Sequence, residues 1–386
     1  MDNNILLIIL IKHLLLKMSE NNTHSNFKSL LLKIKAKFVL KKLFNNLDKS
    51  KIFDIIRYNK VIQAKFTNDI NHYRKEYLKT EIEIKVKLFL YENSKFINLS
   101  SKKYLHIYNK DGERKKNYLH KSQNQSVFKI IIDPEISSFS GLFANCINIE
   151  KIDFIKFNRT EIKNMNNMFH GCSSLKEINL NNFITKSVTD MSHMFHGCSS
   201  LKEINLSNFD TKSVTDMSHM FHGCFLLKKI NLKNFDTKEV VDMNHMFYGC
   251  SSLKTINISK FNTIKVTDMK YMLSQCSSLT KINIINFKTN NVQFMNHMFH
   301  NCKSLKKLNL SNFITNNVVH MHLMFYNCIS LREIDLSNFE TKNTTLTFDM
   351  FAGCTALKEL NCADLLIRKE YDAIKKRIIN NLNYYF

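Results

Sequence analysis

Between residues 136 and 366 the apolar positions of this chain repeat every 26 residues. The stretch Met194–His219, MFHGCSSLKEINLSNFDTKSVTDMSH, differs from Met168–His193 only at Asn181/Ser207 and Ile184/Asp210. The same frame opens at Met220, Met246, Met272, Met298, Met324 and Met350, and earlier at Leu142, giving nine registers at one spacing. A fixed period of roughly 20–50 residues marks a solenoid, in which each unit buries its apolar face only against its neighbours. Leu201-x-x-Ile204-x-Leu206-x-x-Phe209 alternates as a short strand with Ile204 and Leu206 facing inward. Val214-x-x-Met217-x-x-Met220-Phe221 predicts one side of a helical turn, which Thr215 or Asp216 can cap. Gly223 suits a left-handed exit from that turn; Gly171, Gly197, Gly249, Gly353, Asn301 and Asn327 hold the equivalent place. The expected unit is strand, turn, short helix, glycine exit.

The pattern changes on both flanks. Over residues 80–132 it has period two: Ile82, Ile84, Val86 and Leu88 alternate with charged residues, as in a half-buried strand. Tyr104–Tyr108 and Lys115–Leu119 flank Asp111-Gly112, a hairpin signal, and the apolar run Phe128–Ile132 precedes Pro134. Residues 80–135 therefore read as a β-rich segment covering the first edge of the array. Residues 27–79 read as helical, with Val39, Leu40, Leu43, Phe44 and Leu47 at helical spacing. Residues 1–26 read as loose or as an over-extended start, with Met18 the alternative first residue. The run Ile5–Ile11 is broken by Lys12 and His13, is too short to span a bilayer, and lacks the basic start and small-residue cleavage site of a signal peptide. Tyr371, Ile374, Ile378 and Leu382 predict a cap helix over 367–386.

The pattern L-x-x-I-x-L-x-x-F, with M-F-x-G-C-x-S-L between strands, resembles the leucine-rich repeats of the BspA-like surface protein family over about residues 136–366. The resemblance implies an α/β repeat fold: a right-handed leucine-rich-repeat solenoid with a parallel sheet on one face. It also implies a binding or adhesion surface rather than a catalyst. The spacing over about 36–66 resembles the F-box, a three-helix motif that docks a Skp1-type adaptor of ubiquitin ligases. There, however, Ile62 stands where tryptophan is common. An amphipathic helical hairpin capping the solenoid fits the same residues.

Composition sharpens the picture in three places. Nine of the ten cysteines form one column at the 26-residue spacing, from Cys146 to Cys354, and Cys362 takes an inward strand position. Stacked coils place equivalent residues about 5 Å apart, but an odd-numbered column of parallel side chains is not a bridging framework. Buried, reduced thiols and a cytoplasmic location are expected, with secretion or the cell surface as the alternative. Fifteen of the 17 methionines fall in two columns, led by Met165 and Met168, and read as core. The net charge is +23, with 27 Lys+Arg against 13 Asp+Glu over residues 1–135 and 29 against 20 thereafter. That balance permits contact with nucleic acid or an anionic membrane, but there is no nucleic-acid motif and no arginine cluster. Neither a nucleic-acid partner nor a membrane span is expected.

The chain has no phosphate loop and no Ser/His/Asp or Cys/His arrangement outside the repeat columns, so no enzyme and no cofactor is expected. The pairs His193/His196, His219/His222 and His297/His300 could form a grid able to hold zinc or copper. A solvated face that the period copies into a ladder accounts for them better, because no carboxylate second shell is evident, and no metal site is expected. The candidate working surface is the outward strand face: Glu203, Asn205, Lys229, Asn231, Asn257, Lys281, Asn283, Lys307 and Asn309. Its stacked amides can also hydrogen-bond along their own column. The reading is a non-enzymatic protein-interaction scaffold for an extended or multivalent protein partner. The alternatives are an F-box-like substrate adaptor and a secreted adhesin.

Overall fold

A computed structural model of the chain describes residues 82–88, 97–98, 105–108, 114–115, 127–132, 136, 138–157 and 159–383. The expected loose start, the helical segment at 27–79 and the F-box-like spacing at 36–66 lie outside the described residues.

Residues 139–361 form a parallel β-solenoid whose coils are 26 residues long. Each coil contributes a three-residue strand: β6 (Glu177–Asn179), β7 (Glu203–Asn205), β8 (Lys229–Asn231), β9 (Thr255–Asn257), β10 (Lys281–Asn283), β11 (Lys307–Asn309), β12 (Glu333–Asp335) and β13 (Glu359–Asn361). Strands pair in parallel at the repeat offset in short runs, β7 with β8, β9 with β10, and β11 with β12 and β13, so Ile204 lies beside Ile230 and Asn205 beside Asn231. The strands are short because each coil offers a single inward residue, such as Ile204, between two exposed ones. A second parallel ladder of single bridges joins Asn164, Asp190, Asp216, Asp242, Asp268, Phe294, His320 and Leu346.

The segment read as a helical turn is instead a stack of β-turns. Backbone N–H groups of Met191, His193, Phe195 and Gly197 donate to the carbonyls of Asp216, Ser218, Met220 and His222 in the next coil, at 3.1, 2.9, 2.9 and 2.7 Å. The intervening Met194, His196 and Cys198 bond back three residues within their own coil, at 3.3, 3.1 and 3.1 Å. His193 takes φ 56° and Gly197 φ 72°. Single left-handed residues are incompatible with an α-helix. Apolar residues three apart suit either arrangement, and the neighbouring coil decides between them by accepting half of the donors. The exit reading holds: Gly171, Asn301 and Asn327 have φ 69°, 60° and 58°. At Gly353 (φ 80°) a Cβ would also lie 3.0 Å from the Cα of Asn327, so any side chain there would require the neighbouring coil's backbone to give by a few tenths of an ångström.

Inside the coils, equivalent residues stack. Phe195, Phe221 and Phe247 are nearly parallel, with centroids 5.6 and 5.5 Å apart. Phe183, Phe209 and Phe235 form a second stack at 5.8 and 6.4 Å. The methionines of both columns, including Met165 and Met168, are buried, as the core reading requires. Two polar columns run through the same interior. Thr211 Oγ1 donates to the carbonyl of Asp236 and accepts from its N–H, both at 2.8 Å. Thr185, Thr237, Thr263, Thr289 and Thr315 repeat the pair. The ten cysteines are free and buried. Cys224 Sγ donates to the carbonyl of Phe195 at 3.2 Å, and the column repeats this bond from Cys172 to Cys354. Burial pushes the Cys224 and Cys276 thiols up to about 12.

The two ends close differently. At the first coil, β5 (Ile149–Lys156) pairs in parallel with β6 and, on its other edge, antiparallel with β1 (Ile82–Leu88). β4 (Val127–Ile132), β2 (Leu105–Tyr108) and β3 (Arg114–Lys115) continue that sheet in the order β3-β2-β4-β1-β5-β6. Ile84, Val86, Phe128, Ile130 and Phe154 are fully buried along it. At the last coil, Thr341 has no further coil to bond. Asp364 Oδ2 accepts both its N–H and its Oγ1–H at 2.8 Å. Asp364 Oδ1 accepts the N–H groups of Leu366 and Ile367 and caps α1 (Leu365–Asn383). Burial works against this carboxylate, but the converging donors hold its carboxyl below the usual range. Ile367 and Tyr371 of α1 are buried, and the Tyr371 hydroxyl donates to the Lys358 carbonyl at 2.9 Å. Among the described residues no helix is long and apolar enough to cross a membrane.

Two outcomes follow from these bonds. Asp364→Ala should destabilise the last coil and α1 by about 1–2 kcal/mol, seen as faster amide exchange at residues 335–371 with the middle coils unchanged. Cys224→Ser keeps a donor for the Phe195 carbonyl and should cost about 1 kcal/mol, whereas Cys224→Val removes it and should cost about 2 kcal/mol. Urea unfolding of the two variants checks that order. Slow labelling of the native thiols at pH 8, becoming fast in denaturant, checks their burial.

Candidate functional site

All nine strand-face residues lie where the alternation puts them. Glu203 and Asn205 are exposed at the ends of β7, Lys229 and Asn231 on β8, and Asn257 on β9. Lys281 and Asn283 on β10, and Lys307 and Asn309 on β11, are likewise exposed. The asparagines have local work. Each Oδ1 accepts the N–H two residues on: Ser207 for Asn205, Lys233 for Asn231 and Ser311 for Asn309, at 3.1, 3.2 and 2.9 Å. These Asx turns bend the chain away from the strand. Asn231 Nδ2 also reaches Asn205 Oδ1 at 3.0 Å, so part of the column bonds along itself. The charged column pairs between coils. Lys307 meets Glu333 at 2.6 Å and Lys229 lies 3.9 Å from Glu203. Among the described residues no carboxylate is within ion-pair distance of Lys281.

A neighbouring column escaped the sequence reading. Lys202, Lys228, Lys254, Lys306, Arg332 and Lys358 stand one residue before the strands in a column at the 26-residue spacing that only Thr280 interrupts, and all six are exposed. Lys176 continues the column and pairs with Glu150 at 2.8 Å. The six others have no ion-pair partner among the described residues. Like charges repeating about every 5 Å repel one another and favour a polyanionic partner. Strand parity drew attention to Glu203 and Asn205, but Lys202 precedes the strand, where parity does not apply.

Elsewhere on the surface lies an open groove of about 710 Å³ lined by Val241, Lys265, Thr267, Asn291, Gln293 and Asn317. Its polar groups already serve the fold. Lys265 pairs with Glu239 at 2.5 Å, and the Asn291 and Asn317 amides donate to the carbonyls of Ile264 and Asn290, each at 2.6 Å.

The histidines are not the solvated face expected of them. They are half-buried and stacked on the turn ladder. One column, His193, His219, His245, Tyr271 and His297, occupies the positive-φ position, with neighbouring centroids 4.2–4.6 Å apart. Histidine is among the residues enriched at left-handed backbone, which accounts for that column locally. The other column holds His170, His196, His222 and His300, whose backbone makes no such demand. Within a coil the pairs meet edge to edge: His193 Nδ1 lies 3.1 Å from His196 Nδ1, and His219 Nδ1 3.2 Å from His222 Nδ1. Burial, then the charge of neighbouring imidazoles, pushes His196 and His219 down to about 3. His245 and His297 are pushed down to about 4 by the same causes in the same order, Lys270 adding to the effect at His245. Asp190 and Asp216 pull His193 the other way without reversing it.

An unfolded imidazole titrates near about 6.5, and the folded ones lower. Between those values the unfolded chain binds more protons, so stability falls as pH drops below about 6.5. Burial raises the Asp216 and Asp242 carboxyls, which opposes the loss in the carboxylate range. The urea midpoint should therefore decline from pH 7.5 to pH 5, and His245→Gln/His297→Gln should flatten that decline.

Comparison with known proteins bears on the repeat region. The chain matches the family described as "Mycoplasma protein of unknown function, DUF285" over residues 137–255, 226–309 and 280–366. No curated protein matches the chain. Among solved structures, a leucine rich cell surface protein from Faecalibacterium prausnitzii A2-165 is similar at 17% identity and a TM-score of 0.25, covering 61% of this chain and 78% of that one. The family match takes in more than half of the chain, and the coils it covers carry the BspA-like leucine-rich pattern: the protein belongs to the DUF285 family of repeat proteins.

Proposed function

We propose that this protein is a non-enzymatic interaction scaffold whose working surface is the strand face with the adjoining lysine column, and whose partner is an extended acidic protein segment. The observation that carries the reading is the row Lys202, Lys228, Lys254, Lys306, Arg332 and Lys358, exposed and without ion-pair partners among the described residues. Beside it, Lys281 adds a further cation, and Nδ2 groups of the Asn205 column supply donors to a polar backbone. A rigid array has already met the ordering cost on its own side, which favours an extended ligand laid across successive coils. The reading takes the compartment to be cytoplasmic, supported by ten free, buried cysteines. The F-box-like adaptor reading, with its Skp1-type partner, depends wholly on residues 36–66, and no described residue favours it. Recovery of the chain from the cell exterior would favour the adhesin reading.

Poly-L-glutamate is a suitable probe. Lys228→Glu/Lys254→Glu should weaken its binding by roughly tenfold, since each exposed charge contact contributes up to about 1 kcal/mol. The native affinity should fall steeply with added salt. His297→Gln should change neither. Binding that is indifferent to the lysine reversals and to salt sinks the reading.

A further inference from the structure

We propose that His170, His193 and His196 form a site for one divalent transition-metal cation of the zinc, nickel and copper class, bound between two adjacent coils. This does not depend on the acidic-partner reading, which concerns a different column.

Proximity comes first. One ring nitrogen from each of the three histidines lies within 4.8 Å of the others. His193 Nδ1 and His196 Nδ1 are 3.1 Å apart. A tetrahedral zinc with bonds of about 2.0–2.1 Å has nitrogen–nitrogen edges of about 3.3–3.4 Å. Two ligands thus stand close to the required separation, and the third needs only a side-chain adjustment at a half-buried position.

Ring orientation selects this triad over its neighbour. His196, His219 and His222 also place three nitrogens within 4.8 Å. Their rings all lie within 7–20° of parallel, with His196 stacked on His222 at 4.3 Å. Imidazole lone pairs lie in the ring plane, so three near-parallel rings cannot all aim theirs at one point between the coils. His193 and His196 are also within 14° of parallel and meet edge to edge, but His170 is tilted 52° and 57° to them and supplies the out-of-plane donor that the neighbouring triad lacks.

The chemistry of the donors fits. In the His193–His196 contact one Nδ1 carries the proton shared with the other, and a shift of that ring to its Nε2–H tautomer frees both Nδ1 lone pairs for a metal. His170 Nδ1 is buried without a hydrogen-bond partner, leaving a nitrogen whose lone pair the fold does not use. Asp190 and Asp216 act on His193 as nearby negative charge, which favours a cation. Three imidazoles without carboxylate ligands suit zinc, nickel or copper and do not suit calcium or magnesium, which take oxygen ligands. Because His170 and His196 are equivalent residues of successive coils, the ion would tie those coils together and stabilise the array by mass action.

Calorimetric titration of the full chain with zinc chloride tests this. The native protein should take up one equivalent more than the triple variant His170→Gln/His193→Gln/His196→Gln. His170→Gln alone should weaken that site at least tenfold, and His222→Gln should leave it unchanged. Zinc should raise the urea midpoint of the native chain and not that of His170→Gln. The single variant keeps the test intact if the triple variant fails to fold. Equal zinc uptake by native and His170→Gln chains, no saturable uptake by the native chain, or loss in His222→Gln but not in His170→Gln overturns the proposal.

Discussion

The structure depends on backbone hydrogen bonds that run from one coil to the next at a constant offset. In the turn stack, alternate N–H groups such as those of His193 and Phe195 have their acceptors in the following coil. On the strand side, Ile204 finds its partner in Ile230. A buried amide left without a partner is costly, so each coil must match its neighbour in length and shape. The threonine and cysteine columns reinforce the match. Thr211 uses its hydroxyl both to donate to and to accept from the backbone of Asp236, and Cys224 donates to Phe195. A lost or gained residue in one coil would break every one of these ladders at that point.

The same constraint shapes the ends. A coil at either end has half of its ladder without a coil to answer it. At the first coil β1 supplies an antiparallel edge to β5. At the last, the Asp364 carboxylate substitutes for the backbone that Thr341 would otherwise have met, and its second oxygen starts α1. One residue thus ends the solenoid and begins a helix, whose face then covers the apolar residues of the final coil.

Translation also governs the surface chemistry. Where successive coils expose the same residue type, it recurs about 5 Å away. For asparagine this permits bonds along the column, as from Asn231 to Asn205. For lysine it accumulates charge that the strand-face glutamates only partly neutralise. For histidine it crowds imidazoles until burial and mutual repulsion keep them neutral, which turns what would be a basic patch into a row of uncharged nitrogen donors. The three outcomes share one geometric cause and differ only in the side chain repeated.

The sequence by itself determined the coil length, the inward residues and the exit positions, because these are properties of a translational period. Met165, Ile204 and Phe209 had to face inward, and Gly171 or Asn301 had to tolerate left-handed backbone, whatever the packing. It equally placed the nine strand-face candidates, since parity within a strand assigns sides. Parity could not reach Lys202, which stands before the strand. Nor could spacing separate a helical turn from tandem β-turns at Val214–Phe221, because three-residue spacing serves both. Only the adjacent coil, offering carbonyls to alternate N–H groups, decided for turns. Likewise the sequence set His170, His193 and His196 near one another, but the tilt of the His170 ring depends on the contacts around it. Spacing places residues, and it is packing that aims their atoms.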